Sequence, residues 1–149
     1  MILYLDTSSL VKLYIDEPYS EEVWQWAVDA YALATSRVAY PEMLSALTRR
    51  YRDGDMDEAT YQRTVGAFQR DWDVFAVVDL EEIRAGELAS THALRGFDAV
   101  HPAAALTLLR ASTDGAVAFT SFDQRLNQAA GREGFTVLTP PDRTTQADG

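Results

Sequence analysis

Four carboxylates stand where this chain could do chemistry. Asp6 directly follows the apolar run Ile2-Leu-Tyr-Leu5, and Glu42 lies among Val38, Ala39, Met43, Leu44, Ala46 and Leu47. Asp98 opens the largely apolar stretch 99–106, and Asp123 closes Thr120-Ser-Phe-Asp123 after the apolar run Ala116-Val-Ala-Phe119. A buried carboxylate without a partner is costly, and several that converge repel one another unless protonated or neutralised by a cation. A divalent ion held by a few carboxylates and water removes that penalty. The chain has no cysteine, which leaves oxygen and histidine ligands and favours Mg²⁺ or Mn²⁺.

Each acid also has a local role open to it. Asp6 can end a strand in a polar turn, Asp98 and Asp123 can cap helices, and Glu42 can sit solvated in the first turns of a helix. Taken alone, Asp98 reads better as a cap than as a ligand. Taken together, the four acids suit a phosphatase, a phospho-receiver or a nuclease. The receiver fails cheaply: it needs adjacent acids after the first strand and a late lysine, whereas this chain has Asp6 alone and its one lysine is Lys12.

The elements that must position these acids alternate along the chain. Residues 2–5 read as a buried strand, 10–15 as a short helix halted by Asp16-Glu-Pro18, and Ser20-Glu-Glu22 opens a second helix. A weak strand follows at 31–35, then a helix from near Ser36 to Asp53 stopped by Gly54. Residues 57–73 read as a helix whose stripe Tyr61, Val65, Phe68 and Trp72 faces the core or a dimer partner. A strand at 74–78, helices at 80–94 and 99–110, a strand at 116–119, a helix at 124–131 and a strand at 135–138 complete the pattern. Alternating strands and helices make a parallel sheet with right-handed crossovers, covered on both faces. In such sheets, sites gather beyond the carboxyl ends of the strands, where Asp6 and Asp123 fall.

The chain has 149 residues and a net charge of −10, with a pI near 4.5. The length suits one domain, and the charge argues against a surface that coats nucleic acid generally, without excluding a nuclease. No apolar run is long enough to span a membrane, and no basic secretion signal opens the chain, so no membrane contact and a cytoplasmic location are expected. Twelve of the thirteen basic residues are arginine, the side chain that grips phosphate with two hydrogen bonds. Residues 140–149 are polar, without an apolar pattern, and are expected to be disordered.

Leu5-Asp6-Thr-Ser-Ser-Leu10-Val-Lys-Leu-Tyr14, Glu42, Arg95-Gly-Phe-Asp98-Ala-Val-His-Pro-Ala103 and Thr120-Ser-Phe-Asp123-Gln-Arg-Leu126, in that order, resemble the PIN-domain ribonucleases, particularly the VapC-type toxins of bacterial toxin–antitoxin pairs. The resemblance covers residues 1–139 as a single domain. It implies an α/β, PIN-like three-layer fold with a mostly parallel central sheet of about five strands and helices on both faces. It also implies an endoribonuclease dependent on Mg²⁺ or Mn²⁺. Asp6 and Asp98 match the acids that hold the metal most directly, and Glu42 and Asp123 match those that complete the pocket. Thr7, Ser8 and Ser121 match its supporting polar residues. Pro41 and Pro102 depart from the apolar residues expected beside Glu42 and within the Asp98 helix, and Pro41 bears on where the Glu42 helix begins.

The implied partners are an RNA substrate, a cognate antitoxin and a second copy of the chain, with DNA reached only indirectly through the antitoxin. Arg49, Arg50, Arg52 and Arg125 are candidates to contact RNA phosphates. His101, three residues after Asp98, is expected to be packed or hydrogen-bonded rather than to act as a base, and His92 to be structural. The competing readings are an RNA-processing PIN nuclease without an antitoxin and a non-catalytic PIN-like binding module.

Overall fold

The run Ile2–Leu5 lacks polar alternation because both of its faces are covered. It forms β1, the middle strand of a five-stranded sheet ordered β3-β2-β1-β4-β5, and Leu3, Tyr4 and Leu5 are fully buried. The other strands are β2 (Ala32–Ser36), β3 (Ala76–Val78), β4 (Val117–Thr120) and β5 (Thr136–Val137). A mostly parallel sheet was the expectation; all four pairings are parallel. The computed structural model describes residues 1–142, so the expected disorder of the tail beyond Asp142 lies outside the described residues.

The β-strand period of two sends alternate side chains of β1 to opposite layers. Tyr4 joins Ala34 and Phe119 in a core roofed by α5 (Glu82–His92), α6 (Val100–Ala111) and α7 (Gln124–Arg132). Leu3, Leu5 and Ala118 join Leu10, Val11, Val23, Met43, Leu47 and Phe68 on the other face. Those residues come from α1 (Thr7–Leu10), a following 3-10 turn (Val11–Leu13), α2 (Ser20–Asp29), α3 (Ala39–Arg52) and α4 (Glu58–Asp71). The stripe on α4 is core: Phe68 is fully buried, while Tyr61, Val65 and Trp72 pack against it half-buried.

Several boundaries move for local reasons. The Glu42 helix starts at Ala39, not near Ser36, because Ser36 is still paired with Val78 in the sheet and Pro41 must fall in a first turn, where its missing N–H costs nothing. Pro102 sits likewise in the first turn of α6. The strand expected at 74–78 shortens because Trp72–Val74 winds into a 3-10 turn, closed by the Phe75 N–H on the Trp72 carbonyl.

Strands run outward from β1 to β2 and β3, then the chain crosses back to β4 and β5. The order therefore reverses between β1 and β4. A crevice opens at such a reversal, beyond the carboxyl ends of both strands. Asp6 leaves one of those ends and the Ser121–Asp123 segment leaves the other, joined by the Asp6 N–H on the Thr120 carbonyl at 3.2 Å. Among the described residues, no helix is long and apolar enough to cross a membrane.

Candidate active site

Asp6 is the cap of α1, with the extended backbone a cap requires. Its Oδ1 accepts from the Ser9 N–H at 3.0 Å and the Ser8 hydroxyl at 2.7 Å, and its Oδ2 accepts from the Ser121 hydroxyl at 2.5 Å. Ser8 and Ser121 in turn accept from the Phe122 and Asp123 N–H groups, which stitches the β4–α7 link to α1. Asp6 is only 4% exposed. Burial pushes its carboxyl above the ordinary range, against the pull of His101 and of the hydroxyl and N–H donors.

Glu42 lies in the first turn of α3. Its Oε1 accepts from the Thr7 hydroxyl at 2.9 Å and from His101 Nε2 at 3.0 Å, and its Oε2 has no hydrogen bond among the described residues. Burial acts to raise its pKa, but the hydrogen bond and charge of His101, with Thr7, outweigh it and hold the carboxyl below the ordinary range. The His101 ring is 3% exposed, with Nδ1 2.9 Å from the Tyr4 hydroxyl. A carboxylate can only accept, so Nε2 carries a proton in either charge state of the ring. Burial, then the charges of Asp6 and Glu42, keep the Tyr4 phenol well above its ordinary value and therefore protonated.

Asp98 stands differently. Its carboxylate has no hydrogen bond among the described residues, and the cap position of α6 belongs to Ala99, in helical conformation. The turn before α6 is already wound, with the Ala99 N–H on the Arg95 carbonyl and the Val100 N–H on the Phe97 carbonyl. Asp98 therefore cannot take the extended backbone of a cap, and the capping role read from its position is corrected. Asp123 does cap its helix: Oδ1 accepts from the Arg125 N–H at 2.9 Å and the Leu126 N–H at 3.4 Å, which leaves Oδ2 open. Asp98 and Asp123 share a cavity of about 490 Å³ with Leu94, Arg95, Gln124 and Arg125.

The acids thus fall into an inner pair, Asp6 and Glu42, and an outer pair, Asp98 and Asp123. Among the described residues no three His, Asp or Glu side chains stand close enough to hold one ion between them. The donor set still suits a hard cation: carboxylate oxygens are open on Glu42, Asp98 and Asp123, and the neighbouring imidazole is committed to Tyr4 and Glu42.

The PIN domain family model matches residues 3–132. Ribonuclease VapC45 of Mycobacterium tuberculosis (strain CDC 1551 / Oshkosh) is 36% identical over 143 residues, 91% of this chain and 94% of that protein. The chain belongs to the PIN-domain family, in its VapC branch. Solved structures agree in fold: FitAcB from Neisseria gonorrhoeae superposes with a TM-score of 0.66 at 16% identity, over 93% of this chain and 97% of that one. VapBC-1 from nontypeable Haemophilus influenzae gives 0.61 at 16% identity, with the same coverage.

In this PIN domain the hydroxyls of Ser8 and Ser121 donate to Asp6 and that of Thr7 donates to Glu42. The arginines divide. Arg50 is bound to Glu17, which also takes Lys12, so its charge is already used. Arg49 is exposed, without an ion pair among the described residues, and lines a hollow of about 560 Å³ with Thr7, Ser8 and Phe122. Arg52 lines a hollow with Leu44, Ser45 and Thr48 that holds none of the four acids, and Arg125 lines the outer acid cavity. His92 pairs with Glu133 at 2.7 Å, a structural contact as expected. His101 is both packed and hydrogen-bonded, yet it reaches the site through Glu42. Tyr4 was missed; the signal was a phenol in a fully buried strand, which needs a partner for its hydroxyl.

Proposed function

We propose that this PIN domain is an endoribonuclease dependent on Mg²⁺ or Mn²⁺, and the toxin of a type II toxin–antitoxin pair. The observation that supports the catalytic half is that Asp6 and Asp123 follow the two strands at the reversal between β1 and β4, with Glu42 tied to α1 through Thr7 and Asp98 sharing a cavity with Asp123, and that among the described residues oxygens on Glu42, Asp98 and Asp123 are left without hydrogen bonds. The residues that would hold the cation are Asp6, Glu42, Asp98 and Asp123. When bound, it supplies positive charge against the scissile phosphate and makes water a better nucleophile at neutral pH.

The protein's share is orientation. Three donors hold the Asp6 carboxylate, and Thr7 with His101 takes one Glu42 oxygen while leaving the other free. The water oxygen bonds to phosphorus as the bond to the ribose 3′ oxygen breaks; the attacking water gives a proton to solvent and the departing 3′ oxygen takes one from solvent, which leaves a 5′-phosphate and a 3′-hydroxyl. His101 is not the base for this step, because its ring is enclosed between Tyr4 and Glu42.

Purified protein should cut RNA with added Mg²⁺ or Mn²⁺ and stop in excess EDTA, and a metal titration should raise Tm. Cleavage that persists in EDTA, or that survives in both Asp6→Ala and Asp98→Ala, sinks the metal mechanism. The relationship to the VapC ribonucleases supports the toxin half. A short reading frame just upstream whose product binds this chain and silences cleavage is the expected result, and its absence points to an RNA-processing enzyme instead. The proposed homodimer is tested by light scattering: a mass near 16.6 kDa at micromolar concentration counts against it.

A further inference from the structure

The outer acid cavity carries both signs of charge. Asp98 and Asp123 line it together with Arg95 and Arg125, both exposed, and neither arginine makes an ion pair among the described residues. Two acids and two arginines on one cavity wall would ordinarily neutralise each other; here the charges stand apart. An occupant that satisfies them must present negative charge to the arginines while a cation serves the acids. A phosphodiester chain does so, with one phosphate at the acids and its neighbour at the guanidinium groups, which grip phosphate with two hydrogen bonds each.

Between Arg95 and Asp98 the turn exposes Phe97, with 72% of its surface in water. The turn is stiff, held by the N–H groups of Leu94, Ala99, Val100 and His101 on the carbonyls of Ala89, Arg95, Phe97 and Asp98. A large aromatic ring therefore stands in solvent one residue from a candidate catalytic acid. Unpaired bases stack on such rings irrespective of sequence, whereas paired bases present no free face. On the strongly acidic surface of this chain, two uncommitted arginines beside an exposed aromatic favour a single-stranded nucleic acid over a protein partner.

We propose that Arg95, Arg125 and Phe97 form the subsite for single-stranded RNA next to the scissile phosphate: the arginines take the neighbouring phosphate and Phe97 stacks on an unpaired base. The subsite rests on the nuclease reading, and it gives that reading a strand preference.

The test is binding in EDTA, where the metal reading allows no cutting, of a short fluorescein-labelled RNA of mixed sequence, single-stranded or annealed to its complement. Cleavage with Mg²⁺ is measured beside it. Arg95→Ala/Arg125→Ala should weaken single-strand binding by about tenfold or more and flatten log Kd against log salt by about 0.7, for the one phosphate charge that is no longer neutralised. Arg95→Lys/Arg125→Lys should restore the slope. Phe97→Ala should weaken the single strand by about fivefold or more and leave the duplex unchanged. All three positions are exposed, so unchanged Tm values are expected and establish that the variants fold. If the wild-type protein binds and cuts RNA while the variants keep its Kd and slope, the subsite is overturned and the nuclease reading stands. If the variants change only the mass in solution, with RNA affinity intact, the surface belongs to a protein contact and the subsite is overturned. A wild-type chain that neither binds nor cuts RNA overturns the nuclease reading and the subsite with it.

Discussion

The two acid pairs of this PIN domain are built on opposite terms. Asp6 and Glu42 are spoken for: three donors hold the first, two hold one oxygen of the second, and the imidazole of His101 sets its potential on both. Asp98 and Asp123 face a cavity and together keep three carboxylate oxygens without hydrogen bonds among the described residues. A carboxylate already ringed by donors exchanges partners only at the cost of breaking good hydrogen bonds, whereas an open one loses only water. In the proposed site the inner pair is therefore chiefly frame, and the outer pair, with the free oxygen of Glu42, offers open oxygens to a ligand. The backbone follows the same division: Asp6 follows the buried residues Leu3, Tyr4 and Leu5 of the central strand, while Asp98 rides an exposed turn between α5 and α6.

Asp98→Asn separates the two most sharply. Because its carboxylate holds nothing in the fold, stability should stay within about 0.5 kcal/mol of wild type, while cleavage falls by about a thousandfold. A thermal melt and a cleavage assay decide it, and a variant that loses activity only by unfolding would place Asp98 in the frame. His101→Ala should do the reverse in emphasis. It removes the imidazole partner of the buried Tyr4 hydroxyl and opens space under α6, so about 2–4 kcal/mol of stability should be lost, with cleavage reduced less than in Asp98→Asn. For a chain of this length, that corresponds to a Tm fall of roughly 5–15 °C.

How much of this was legible in the sequence follows the same line. The apolar runs before Asp6 and Asp123 marked strand ends, and a parallel sheet puts strand ends at sites, so the positions of these acids were readable from local pattern. The helix expected from Asp57 begins one residue later, with Asp57 as its cap, accepting from the Thr60 N–H at 2.7 Å. The state of Asp98 was not readable, because a cap and an open acid share one sequence position and differ in whether the preceding turn is already wound. Nor was the Tyr4–His101–Glu42 chain, whose links span 97 and 59 residues. Periodicity along a chain carries no information about which buried polar groups meet across layers; only their need for partners is visible. The same holds for Arg50, which reads as an RNA contact at the end of α3 until Glu17 is found beside it.

Asp6→Asn measures what the frame costs the fold. The raised pKa of Asp6 means that its ionised form is disfavoured in the native state, so above that pKa the wild-type chain carries a penalty that asparagine does not. At neutral pH the variant should melt higher, by roughly 1 kcal/mol or about 2–4 °C, with cleavage lost. The gain should vanish as pH falls through the raised pKa and the wild-type carboxyl takes up its proton. A lower Tm for the variant at neutral pH would mean that the three donors, and not burial, dominate at Asp6.

Glu42 has the opposite slope, and Thr7→Val reads it with the smallest expected effect. Its folded pKa is depressed, so its contribution to stability is present above the ordinary carboxylate range and is lost as pH falls through the depressed value. Valine keeps the shape of Thr7 but removes one of the two donors on Oε1, so the Glu42 carboxyl should titrate closer to its ordinary value, as followed by carbon NMR of the side chain. His101 should still hold it on the low side. If the titration does not move, His101 alone sets the potential at Glu42, and the frame of the inner pair is the imidazole rather than the α1 hydroxyls. If it moves fully to the ordinary value, Thr7 carries the whole depression, and the His101 contact serves Tyr4 and the core rather than the acid.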